Sequence, residues 1–415
     1  MRLRLPSSPL WRDRDFLLLW GSLILGDGGA QVTVLALASV AILVLHAGAF
    51  EVGLLSASAW LPWAFLALPA GVLSDRVRKR RLLIVSGFGR ALVLAAIPIG
   101  YAFHFLSLPE LLVVAILEGS LNVVYSITST SYVPALVGKK RLLDANSKIF
   151  TSRSVASLGA PGLGGYLIQA IGSAFTVWAS TAAFIAGGAM TLLIRKPELL
   201  AEREAHHASG FFAEIREGLQ VVFGNPALRL LVAALAMGSL GGFGAQALEL
   251  LYFYRHLHLT PSTVGFVLAT EGVGAIAGAV AAQPITRRFG LGPTLIVTNA
   301  LFGLSILCIP IAGFGMAVPV LVFLMVLFGI SGVVFDVNQV SMRQGITPDR
   351  LQGRMTATIR MVVLGVAPVG ALLGGVLGAR IGLVPTIVLG GVVVVASIAW
   401  LLPRDIRSYP NQKST

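Results

Sequence analysis

The chain has a single cysteine, Cys308, set in an uncharged stretch. That excludes an internal disulfide framework and a multi-cysteine metal site, and leaves the residue as a small packing group. Charge is also scarce. Only 12% of the 415 residues are Asp, Glu, Lys or Arg, about half of the roughly 25% carried by an ordinary soluble domain. No His-Glu-x-x-His pattern, nucleophile elbow or Walker-type phosphate loop occurs, so the signatures of a membrane hydrolase or an ATP-driven pump are missing. His206 and His207 lack further ligands at suitable spacing and read as solvated linker. The opening MRLRLPSSPLWRDRDF does not read as a secretion signal: the apolar stretch after it, residues 17–45, is too long and ends in no small-residue cleavage pattern.

What is abundant is apolar sequence. Hydrophobic residues make up 56% of the chain, and the mean hydropathy is +0.86. Residues 52–74 contain no charge at all, with Glu51 before them and Asp75 after; about 20 such residues span a bilayer core. Reading uncharged runs and allowing one interior charge predicts twelve spans, near 16–45, 50–74, 82–103, 109–135, 147–171, 173–194, 228–254, 262–286, 291–313, 317–342, 354–379 and 382–402. The expected fold class is therefore all-α: a membrane protein of twelve transmembrane helices. Residues 1–195 and 228–415 form two six-helix halves, and 196–227 form a linker. Within the linker Phe211, Phe212, Ile215, Leu219, Val222 and Phe223 recur at helical spacing, which predicts an amphipathic helix on the membrane surface.

Basic residues set the expected orientation. With both termini placed in the cytoplasm, 26 of the 31 Lys and Arg fall on the inner side, while only Arg255 and Arg380 fall outside and Arg90, Arg153 and Arg360 lie within spans. The net charge of +13 then reflects topology and attraction to an anionic inner leaflet. Nucleic-acid binding does not fit, because the bases are scattered over seven short segments. The expected location is the plasma or inner cell membrane, multi-pass, with the chain acting as a monomer.

Six plus six spans implies duplication. At an offset of 207, Arg153, Val155, Ala160 and Pro161 fall on Arg360, Val362, Ala367 and Pro368, in the fifth and eleventh spans. Paired halves with Gly/Pro-interrupted spans in matching positions are a mark of secondary transporters.

Five motifs in order carry a resemblance. The loop after the second span reads GVLSDRVRKRR and supplies Gly71, Leu73, Ser74, Asp75, Arg76, Lys79 and Arg80 of the pattern G-x-L-[AS]-D-R-x-x-[RK]-[RK], with Arg78 where Gly is common. LLDANS precedes the fifth span, GAPGLGG lies within it (Gly159, Pro161, Gly164, Gly165), REGLQVVFGNPALR leads into the seventh, and TPDRLQGR lies before the eleventh. With these motifs the chain resembles the major facilitator superfamily, and within it the drug:proton antiporter-3 group, which includes macrolide efflux proteins and an enterobactin exporter. The resemblance implies that spans one, four, seven and ten line a central cavity. It also implies that Asp75 faces the start of span eleven and closes the inner gate.

Charges at bilayer depth are costly, about 2.5–3.5 kcal/mol each on insertion scales, and mark candidate sites. Asp27 lies roughly 16 Å into span one, Glu118 roughly 14 Å into span four, and Glu271 is similarly deep in span eight. Asp27 and Glu118 are candidate proton carriers. Glu118 has a second reading as the partner of Arg90, itself in span three. Glu271, in the small-residue stretch ATEGVGAIAG, is a candidate for substrate selection. Glu249 and Asp336 fall near span ends and read as interfacial. GAPGLGG reads either as a hinge or as a tight packing face. Trp60, Trp63, Tyr125 and Tyr132 read either as ligand contacts or as packing and interface anchors. The expected function is proton-coupled efflux of amphiphilic small molecules by alternating access, driven by a proton gradient without a bound cofactor or metal. Uptake or facilitated diffusion of a nutrient or metabolite is the alternative, and the largely apolar lining disfavours it.

Overall fold

Inside a bilayer each backbone polar group must find its partner within its own segment, so the apolar runs can cross only as helices. The computed structural model describes residues 9–138, 141–196, 211–348 and 351–407, and no strand occurs among them. The first half holds α1 (Arg14–Ser39, continued by a wide turn to Val44), α2 (Ala49–Arg76), α3 (Lys79–Ala102), α4 (Leu108–Val137), α5 (Leu142–Ile171) and α6 (Ser173–Leu192). The linker helix α7 (Phe211–Gly224) follows. The second half holds α8 (Pro226–Arg255), α9 (Pro261–Phe289), α10 (Leu291–Leu307), α11 (Ala317–Ile346), α12 (Gln352–Ile381) and α13 (Leu383–Ala396).

These helices match the twelve expected spans. Ten among the described residues are long and apolar enough to cross a bilayer. Of the other two, α5 is 30 residues long but carries Asp144, Lys148 and Arg153, and α10 is a 17-residue helix extended by a tight turn at Ile309–Phe314. Helix ends follow local chemistry. Asn225 accepts from the amides of Ala227 and Leu228 (3.0 and 3.3 Å), and Pro226 opens α8. Gly172 and Gly382, at φ +84° and +93°, close α5 and α12 and turn the chain directly into the next helix. By contrast Arg78, at φ −55°, needs no glycine, which accounts for its departure from the motif.

The structural repeat differs in register from the sequence echo. α5 and α12 begin 210 residues apart, at Leu142 and Gln352, rather than 207. The echo is thus nearly one helical turn out of phase. The true register pairs Gly172 with Gly382 and Gly165 with Gly375.

Buried clusters show how the halves meet. At the end of the bundle that carries Leu10 and Ile406, each half has its own core: Phe16, Leu83 and Tyr132 belong to one, and Leu231, Leu295 and Met342 to the other. At the distal end one core runs through both halves, joining Leu37, Ile97 and Val177 to Leu248, Val267 and Leu324. Two helix crossings hold that seam. Across α5 and α9, a Cβ on Gly265 would sit 2.5 Å from the Pro161 carbonyl oxygen and 2.8 Å from the Gly165 Cα. Across α2 and α12, a Cβ on Gly53 would sit 2.4 Å from the Gly375 Cα. Only glycine permits such backbone approach. The Ser39 and Tyr254 hydroxyls, 2.9 Å apart and buried, add a hydrogen bond across the same seam.

Polar contacts brace the terminal end. Asp15 accepts from the amides of Arg195 and Lys196 (3.1 and 3.0 Å), just beyond α6. Arg80, from the basic run, donates to the carbonyls of Thr191 and Leu192 (3.3 and 2.6 Å), the last turn of α6. At least one base of that run is therefore a helix cap as well as a topology signal. The linker helix packs on protein along its described face. Val222 is fully buried with Leu228, Val232, Met355 and Ile359, and Glu217 pairs with Arg354 at the start of α12. The side chains of residues 211–215 lie outside the described set, as do His206 and His207.

Candidate functional site

Two sets of intramembrane acids occur, one in each half. In the first half Glu118 on α4 meets Arg90 on α3, with Glu118 Oε1 accepting from Arg90 Nε at 2.9 Å and from the terminal guanidinium nitrogen at 2.5 Å. The pair is sealed: the side chains are 1% and 11% exposed for Arg90 and Glu118. The guanidinium also lies 3.9 Å from the Phe184 ring centroid and 5.6 Å from that of Tyr125. Tyr125 in turn donates to the Ser22 carbonyl at 3.2 Å. Of the two sequence readings of Glu118, the geometry supplies the ion pair. Asp27 on α1 accepts from Arg153 Nε on α5 at 2.6 Å, and this pair is open to its surroundings, the side chains being 31% and 41% exposed for Asp27 and Arg153.

The second half holds a cavity of about 470 Å³. Its walls come mainly from α8, α9, α10 and α11, with Trp60 reaching in from α2 of the other half. Glu249 on α8, Glu271 on α9 and Asp336 on α11 all face it, among Phe243, Phe302, Phe328 and Phe335. Gln339 donates to Asp336 at 3.3 Å. The Oε1 of Glu249 is closed off from solvent and accepts no hydrogen bond. Among the described residues, none of these three acids has a Lys or Arg within ion-pairing distance.

This corrects the reading of Glu249 and Asp336 as interfacial. Position along a helix placed them near its ends, but the faces they occupy point into the bundle. A signal for Glu249 was present: Leu235, Gly238, Ser239, Gly242, Gln246 and Glu249 repeat at three- and four-residue spacing and all line the cavity. The small-residue face around Glu271 has two partners. A Cβ on Gly329 of α11 would lie 2.1 Å from the Glu271 carbonyl oxygen, and Gly272 packs on Leu158 of α5. The spacing of the helices here is set by backbone contact, which fixes where the Glu271 side chain starts.

Other candidates separate. Within GAPGLGG, Gly165 makes the backbone contact with α9, Gly164 has ordinary room beside Leu35 and Val32 of α1, and Gly159 faces open space. Trp60 lines the cavity and packs edge-on to Phe243 at 4.9 Å. Tyr125 and Tyr132 are buried. In the gating loop Gly71 has nothing within 4 Å of a Cβ, Arg76 is exposed and Lys79 half-buried, and the side chain of Asp75 lies outside the described residues.

The sequence profile of a family described as transmembrane secretion effectors matches residues 6–414. The chain is 24% identical over 413 residues to the multidrug efflux pump Tap of Mycolicibacterium fortuitum, covering 95% of this chain and 98% of that protein. It is 26% identical over 350 residues to the enterobactin exporter EntS of Citrobacter koseri, covering 82% and 80% respectively. In three dimensions it matches the nucleoside transporter NupG with a TM-score of 0.75 at 12% identity, over 94% of this chain and 99% of that one. A bacterial homologue of the iron transporter ferroportin, in an inward-facing state, matches with a TM-score of 0.71 at 17% identity, over 95% and 99%. The two-half helical fold, its cavity and a profile match running almost end to end agree: the chain belongs to the transmembrane secretion effector family of the major facilitator superfamily, and it is a membrane transporter rather than an enzyme.

Proposed function

We propose that the protein exports amphiphilic small molecules in exchange for protons, by rocking its two halves about the glycine contacts of the distal seam. One observation carries this reading: an aromatic cavity with unpaired carboxylates, in a bundle whose halves share a core at the distal end and have separate cores at the other. An unpaired carboxylate in an apolar wall is costly until a proton or a cation neutralises it. A group that must be neutralised can couple the two fluxes. The basic residues favour placing the separated end in the cytoplasm, against an anionic leaflet.

Asp27, open and salt-bridged, is the proton carrier we assign to the first half. Gly165, with Pro161 one turn before it, is the pivot, and Asp75 is the gate residue at the separated end. The multidrug efflux pumps and the enterobactin exporter among its relatives support export over uptake. The test is drug susceptibility and accumulation in a pump-deleted host, with and without an uncoupler. Export requires lower accumulation that the uncoupler abolishes. Higher accumulation in expressing cells would instead establish import.

A further inference from the structure

We propose that the cavity of the second half is a docking site for a cationic amphiphile, its positive head held between Glu249 on α8 and Glu271 on α9. This rests on the export reading and sharpens it, by naming the charge of the substrate and the residues that select it.

The two carboxylates come from consecutive helices, α8 and α9, and line the same cavity. One oxygen of Glu249 is sealed from solvent with no hydrogen-bond partner among the described residues. From α11, Asp336 adds a third acid to the same wall. The lining that α2, α10, α12 and α13 contribute is uncharged, and no Lys, Arg, His or Tyr among the described residues lines the cavity. Arg343, two turns along α11 from Asp336, acts electrostatically on Asp336 and on Arg360 of α12, and neither arginine lies in the lining. An anion would therefore meet only like charge. A neutral ligand would leave Glu249 and Glu271 uncompensated. A cation compensates them and displaces the protons they would otherwise hold.

The walls suit the rest of such a ligand. Trp60 and Phe243 form one aromatic pair, and Phe302 and Phe328 stack at 4.4 Å to form another. Aromatic faces favour a delocalised or quaternary cation. A cavity of about 470 Å³ is within the range of drug-sized sites. The site is also held in place, since α9 and α11 touch backbone to backbone at Glu271. Because Trp60 belongs to the first half, a bound cation touches both halves, which is what coupling occupancy to rocking requires.

The experiment compares two ions of the same shape and opposite charge, tetraphenylphosphonium and tetraphenylborate, by equilibrium dialysis against the purified full-length protein in detergent. Tetraphenylphosphonium should bind at least about tenfold tighter than tetraphenylborate, should weaken as pH falls, and should release protons on binding in unbuffered solution. E249Q and E271Q should each remove most of the preference, with tetraphenylborate binding kept or improved as evidence that the variants are folded. Equal binding of the two ions by the wild type, or a preference unchanged in both variants, overturns the proposal. If a variant fails to fold, the wild-type preference and its pH dependence still decide. Uncoupler-sensitive export of some other compound alongside such a negative result removes this inference alone. The predicted binding without any uncoupler-sensitive transport removes the export reading alone.

Discussion

The two halves share one architecture and treat buried acid in opposite ways. In the first half the two deeply placed carboxylates each have an arginine, a sealed one for Glu118 in Arg90 and an open one for Asp27 in Arg153. In the second half Glu249, Glu271 and Asp336 share a cavity with no base among the described residues that line it. A satisfied pair costs little to keep and a great deal to break, because removing one partner strands the other in low dielectric. An unpaired acid shows the reverse behaviour: replacing it by its neutral isostere removes a cost and with it the means of binding a proton or a cation. The difference separates Glu118, which holds the fold, from the acids available to ligands, with Asp27 between them, a distinction that residue type and depth could not make.

The strongest way to break the comparison is Glu118→Gln. It should destabilise the protein by about 3–5 kcal/mol by stranding Arg90, seen as a large drop in melting temperature in detergent. The sequence alone left Glu118 with two readings, proton carrier or partner of Arg90. If Glu118→Gln melts like the wild type, the ion pair is not structural and the contrast between halves fails. Joint replacement of Arg90 and Glu118 by Met and Leu should recover much of the stability.

Next in size is the seam between the halves. Gly165→Leu should abolish transport, because its Cβ would lie 2.4 Å from the Pro261 carbonyl oxygen, and cysteine accessibility should show the distal end held open. Gly164→Leu meets only side chains, the closest at 3.4 Å, and should slow turnover far less. Equal effects at the two positions would show that the seam is not set by backbone contact.

For the unpaired acids, Glu249→Gln and Glu271→Gln should stop proton-driven transport in proteoliposomes with an imposed pH gradient, while leaving the melting temperature unchanged or raised. A clear loss of stability would place them with the structural acids. Asp27→Asn lies between the two classes. Its pair with Arg153 is about a third exposed, so the stability cost should stay below about 1 kcal/mol, and any larger transport defect then reports function. Smallest is Glu217→Gln, which removes an exposed contact between α7 and Arg354. It should cost under about 1 kcal/mol and be visible chiefly as faster proteolysis of the linker, since burial of Val222 continues to hold the helix.

Much of the fold was readable from residue order. Uncharged runs bounded by bases gave the spans, and the linker pattern from Phe211 to Phe223 gave α7. The site was readable only in part. Asp27, Glu118 and Glu271 stood out because depth along a helix can be counted. Glu249 and Asp336 were set aside on the same count, because distance from a helix end says nothing about which way a side chain faces. The repeat was seen three residues out of register, since isolated identities in small-residue helices recur at every turn. The glycines that meet across the seam, Gly53 with Gly375 and Gly165 with Gly265, come from spans far apart in the chain and looked no different from the protein's other glycines.

A membrane helix is decided locally: its hydrogen bonds close within the segment, and its length follows from the thickness of the bilayer. Sequence alone therefore settled that this chain is a bundle of twelve crossings and a linker. Which acid meets an arginine, and which is left facing a cavity, depends on how helices tens to hundreds of residues apart are rotated against one another. Packing decides that rotation, through contacts as close as one backbone on another, so only the tertiary structure could divide the acids into those that hold the fold and those open to a ligand.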